Sequence, residues 1–139
     1  MKNILISIIF VLTPWAAEAA CNTGGSAGTY QGYATSTRGS TEWMITCTVV
    51  VKANGRLRRG IACKRVFPGG SVEKGIKIVG GRLGVNSACR VTGYLLLDFN
   101  GATSRSDVVQ ATLSEDRNTI VGILANNDGS ISLFTSVRK

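Results

Sequence analysis

The sequence predicts an all-β fold: a single antiparallel meander of about eight strands, closed or partly closed into a barrel, with a β-sandwich as the alternative. Three observations carry that expectation. Apolar residues recur at a period of two, as in Trp43, Ile45, Cys47, Val49 and Val51, and almost nowhere at helical spacing. β-Branched and aromatic residues fill these runs. Short turn signals separate them: Asn54-Gly55, Pro68-Gly69-Gly70, Gly80-Gly81, Asn100-Gly101, Ser114-Glu115-Asp116 and Asn127-Asp128-Gly129.

In chain order, strands are expected over 28–37, 42–53, 57–67, 72–79, 88–99, 106–113, 118–125 and 130–138. The fifth alternates through Cys89, Val91, Gly93, Leu95, Leu97 and Phe99, and the last through Ile131, Leu133 and Val137. The third alternates imperfectly. Leu57, Ile61, Cys63 and Phe67 share a face with Arg59 and Arg65, and Arg58, Gly60, Ala62 and Lys64 share the other. Tyr94 and Leu96, like Val121 and Ile123, place apolar groups opposite an already apolar face. That second face needs cover from the protein itself, a ligand or another chain.

Ahead of the strands, residues 1–20 read as a secretory signal peptide. Lys2 gives the positive start, the nine residues from Ile4 to Leu12 the apolar stretch, and Ala17-Glu18-Ala19 the cleavage pattern. A membrane-spanning helix needs about 20 apolar residues, so no transmembrane segment is expected in the mature chain. Cleavage after Ala19 or Ala20 leaves residues 21–139 as one disulfide-containing β-domain, secreted or periplasmic. A lipid anchor on Cys21 is the minority expectation, because Glu18 stands where a lipoprotein site carries an apolar residue.

Export makes the four cysteines, Cys21, Cys47, Cys63 and Cys89, two expected disulfides. Four cysteines allow three connectivities. A three-residue hairpin loop at 54–56 sets Cys47 directly opposite Cys63 on one face, which leaves Cys21 to tether the N-terminus to Cys89. No Cys-x-x-Cys occurs and the chain has no histidine, so neither a redox motif nor a metal site is expected.

The charge of +8 is unevenly placed. Between residues 52 and 97 stand Lys52, Arg56, Arg58, Arg59, Lys64, Arg65, Lys74, Lys77, Arg82 and Arg90 against the single acid Glu73. Such a field favours anionic partners: lipid, lipopolysaccharide or cell-wall polymer. Lys52, Arg56, Arg58, Arg59, Lys64 and Arg65 are the candidate anion-binding residues. Export and the lack of interleaved aromatics argue against nucleic acid.

Catalysis is not expected. Serine and cysteine nucleophiles usually depend on a histidine base, and none is present. Gly24-Gly25-Ser26-Ala27-Gly28 matches G-x-S-x-G but lacks the strand and helix that motif needs. Asp98 and Asp107 approach as an acid pair only across a 100–105 loop. Asn126-Asn127-Asp128-Gly129-Ser130 reads as a hairpin turn rather than a calcium loop. No cofactor is expected.

At the two ends of the domain, Gly28-Thr29-Tyr30 and Arg138 resemble a pattern of the calycin superfamily, the lipocalin-like and avidin-like barrels. Those proteins open on Gly-x-Trp and carry a basic residue on the last strand; here tyrosine replaces the tryptophan. The resemblance implies a barrel and a ligand cavity, and transfers no binding residue. The functional expectation is an exported, non-enzymatic binding or envelope-associated protein that uses its basic region at 52–82. The alternatives are a carrier of a small apolar ligand and a protein-interaction or inhibitor module, with a protein partner or oligomer.

Overall fold

The computed structural model describes residues 21–139, so the signal-peptide expectation lies outside the described residues. After a 3-10 turn at Gly24–Ser26 come eight strands: β1 (Gly28–Arg38), β2 (Thr41–Val51), β3 (Gly60–Val66) and β4 (Val72–Val85), then β5 (Val91–Phe99), β6 (Ala102–Leu113), β7 (Thr119–Asn126) and β8 (Ile131–Arg138). Each pairs antiparallel with the next, and β8 returns to β1, giving a closed barrel rather than a sandwich.

Two boundaries differ most from the sequence expectation. Gly80-Gly81 is no turn. β4 passes through it on a bulge between Ile78 and Gly80, and a Cβ on Gly81 (φ 134°) would stand 2.6 Å from the Tyr94 carbonyl. Glycine there permits close backbone approach across β4 and β5. The chain reverses instead after Val85, where the Asn86 side-chain carbonyl accepts the N–H groups of Ala88 at 3.0 Å and Arg90 at 2.9 Å. Likewise β6 already begins at Ala102, so 100–101 is a tight turn and not the start of a loop.

The structure joins Cys47 to Cys63 and Cys21 to Cys89. Cys21 is thus a disulfide partner. The route to the first pair differs from the one expected. Lys52 donates to the Arg56 carbonyl at 2.9 Å, which makes the hairpin loop 53–55 rather than 54–56. Gly55 sits there at φ 78°, and a Cβ on it would lie 2.0 Å from the Leu83 carbonyl. Two extra residues on the β3 side then restore the register that faces Cys47 with Cys63. The irregularity also turns Ile61, expected beside Cys63, out to solvent at 73% exposure.

An eight-stranded barrel is just wide enough for its side chains to fill. The lower interior is such a core, built on Tyr30, Val51, Leu57, Ile76, Val85, Val91 and Leu113. The N-terminal segment plugs its base. The Tyr30 hydroxyl donates to the Ser26 carbonyl at 2.9 Å, and Thr23 accepts from the Val85 N–H at 3.0 Å. Arg138 donates to the carbonyls of Gly25 (3.0 Å) and Ala27 (2.5 Å), with its guanidinium carbon 5.5 Å from the Tyr30 ring centre. The residues that carry the calycin resemblance therefore meet in space.

The last strand has the opposite polarity to the one its alternation suggests. Ser130, Ser132 and Ser136 are buried, and Ile131, Leu133 and Val137 are exposed, Leu133 at 63%. With Val121 on β7, Tyr33 on β1 and Met44 on β2 they make an apolar outer wall that no described residue covers.

Candidate functional site

Two surfaces gather polar or charged groups beyond what the fold requires. The first is the outer face of β3 and β4 with the segment that leads into it. Lys64, Lys74, Lys77 and Arg82 project from the strands, and Lys52, Arg56, Arg58 and Arg59 from the hairpin before them; all are exposed. A backbone bridge sets Arg56 beside Arg82. Lys64 and Lys74 border an open groove of about 380 Å³ with Gln31, Thr46 and Thr48. Among the described residues none of these bases has a salt bridge. The acids near them are engaged elsewhere: Glu73 by Arg65 and Asn100, Asp98 by the Gly101 N–H at 2.6 Å.

Arg65 is not part of that face. It shares the inward side with Cys63, and its guanidinium carbon lies 4.7 Å from the ring centres of both Phe67 and Phe99 and 5.9 Å from Trp43. Its Nε donates to Glu73 at 2.9 Å, and a second nitrogen donates at 2.5 Å. Of the six candidate anion-binding residues, five are on the surface and Arg65 is a wall of the barrel mouth.

That mouth is the second surface, a cup of about 440 Å³ at the end where β2, β4, β6 and β8 begin. On one side stand Trp43, Arg65 and Phe99; on the other Ser36, Ser104, Ser106, Asn126, Ser130 and Ser132. A hydrogen-bond chain fixes the second side. Ser36 and Ser132 pair at 2.5 Å, Asn126 donates to Ser130 (2.8 Å) and Ser132 (2.9 Å), and Ser106 donates to Asn126 (2.5 Å). At the rim Ser130 donates to Asp128 at 2.6 Å. Burial alone raises the Asp128 pKa, but the Ser130 hydroxyl and N–H, and the charge of Arg38, outweigh it and hold the carboxyl below its ordinary value. Sequence reading missed this cup because serines alternating with Ile131 and Leu133 read as the solvent face.

The two acid arrangements weighed in the sequence resolve into structure. Asp107 faces Tyr94 and binds Arg105, whereas Asp98 faces Thr103. Four residues along β5 separate them, about 13 Å at strand rise, well beyond the spacing of a glycosidase pair. Ser26 of the G-x-S-x-G match is buried and donates to the Thr23 carbonyl at 2.7 Å. Among the described residues no group of His, Cys, Asp and Glu is placed to hold a metal. No protein-family model, curated protein or solved structure matches this chain.

Proposed function

We propose that this is an exported, non-enzymatic binding protein that contacts anionic envelope components through its basic wall. Lipid headgroups, lipopolysaccharide and cell-wall polymer share the chemistry it would recognise. The observation that carries the reading is the row of exposed bases from Lys52 to Arg82, none of them salt-bridged to an acid among the described residues. Each base held near an anionic surface contributes about 1 kcal/mol, so five or six acting together give useful affinity without a shaped pocket. Two disulfides suit the oxidising compartment in which such a partner is found.

The barrel form and the Tyr30–Arg138 contact also support a calycin-like ancestry. The apolar-carrier alternative draws less support. The cavity inside the barrel holds only about 80 Å³, against about 300 Å³ for the smallest ligand sites.

Vesicle flotation tests the proposal. Binding to phosphatidylglycerol vesicles should be strong at low salt and should fade as salt screens the wall, since the Debye length falls to about 10 Å at 0.1 M. The combined Arg56→Gln, Arg58→Gln and Lys64→Gln variant should bind at least about tenfold more weakly. Equal binding to neutral phosphatidylcholine vesicles, or indifference to salt, would sink the reading.

A further inference from the structure

The polarity of β8 is the feature the basic wall does not explain. Ser130 and Ser132 are buried, at 1% and 3% exposure, while Ile131 and Leu133 face water. Burying an aliphatic side chain at either position would stabilise the fold instead. The serines give up that stabilisation and leave space, and the space is the cup. From its two walls we infer that the cup is a binding site for a neutral polyhydroxylated ring, that is, a saccharide.

The hydrogen-bond directions select this class. A serine hydroxyl has one proton and two lone pairs. Most of the protons here are committed: Ser104 to Asn127, Ser106 to Asn126, Ser130 to Asp128, and one of Ser36 and Ser132 to the other, which keeps its own. The serines therefore present to the cup both lone pairs and a hydroxyl proton, a mixture that matches sugar hydroxyls, which donate and accept at once. Glu73 binds Arg65 through Nε and one Nη, so this wall of the cup carries no net charge. Across the cup, the rings of Trp43 and Phe99 supply apolar faces for the C–H side of a sugar ring. The volume of about 440 Å³ falls in the lower part of the range for small-molecule sites, about 300–1,000 Å³. An acidic ring would meet the Asp128 carboxylate at the rim and an Arg65 already neutralised by Glu73.

Trp43 makes the site observable. The sequence holds two tryptophans, Trp15 and Trp43, so with Trp15 absent, by leader cleavage or by Trp15→Phe in the full chain, the emission reports on the cup. Titrations with glucose, N-acetylglucosamine, cellotetraose and chitotetraose should include at least one that shifts this emission and saturates. Octanoate, benzoate and choline should not. Ser132→Val, or Ser104→Ala at the rim should the first variant fail to fold, should weaken that saccharide at least about tenfold. Flotation on anionic vesicles should be unchanged in the same variant, which separates this site from the basic wall. The inference is overturned if no saccharide of the panel gives a saturable shift, the cup then holding water alone. It is equally overturned if octanoate, benzoate or choline binds more tightly, or if the folded serine variants keep full affinity.

Discussion

Arg138 holds the base of the barrel with no carboxylate partner among the described residues. Two backbone carbonyls and the face of Tyr30 take its charge. Hydrogen bonds from a charged group contribute about 1.5–3 kcal/mol, so Arg138→Met should destabilise the fold by about 2–4 kcal/mol. The check is a lower urea midpoint at unchanged slope. Arg138→Lys should recover only part, because an ammonium cannot lie over the ring and reach both carbonyls at once. Asp128 gives a pH-dependent counterpart. Its carboxyl is held below the ordinary 3.8 in the fold, so its contribution is fully present above that value and is lost as pH falls through the lowered one. In urea titrations across pH, Asp128→Asn should cost stability at neutral pH. The gap to the parent protein should close in acid.

At the scale of elements, the two disulfides tie different distances. Cys47–Cys63 joins directly paired strands across a separation of 16, whereas Cys21–Cys89 spans 68. Loop-closure entropy gives about 3 and about 4 kcal/mol for these. Replacing Cys21 and Cys89 by serine should therefore destabilise more than replacing Cys47 and Cys63. Hydrogen exchange should show the 21–27 segment opening first. The strands themselves were legible, because a period of two is imposed by the backbone wherever one face is buried. Which face is buried was legible for β2 and β5, whose inward residues are apolar, and not for β8, where the cup reverses the usual preference. Gly80-Gly81 misled because a turn and a bulge both favour glycine, and only the partner strand separates them. Arg65 counts among the anion-binding residues by its charge, although alternation puts it on the Cys63 face. Its inward place depends on three rings and Glu73, which the fold collects from β2, β4, the end of β5 and the residue after β3.

For the molecule as a whole, closure in sequence order sets β3 and β4 diametrically across from β7 and β8. A strongly basic wall thus stands opposite one that is apolar and carries no charge on its exposed Val121, Ile131, Leu133 and Val137. Exchanging Leu133 for Lys should leave the unfolding free energy within about 0.5 kcal/mol and raise the solubility limit, measured by ultrafiltration. The side chain contributes to the exposed wall and not to the core.

The closing pair, β1 with β8, joins the first strand made to the last. Until Ile131–Arg138 has emerged, β1 has one bare edge and β7 another, and bare edges recruit other chains. Native pairing therefore waits for the complete chain, as non-local topologies fold late. Under the proposed export, that delay keeps the polypeptide threadable while it crosses a membrane. A copy cut short by a single strand remains an open sheet, exposed to whatever proteases await it.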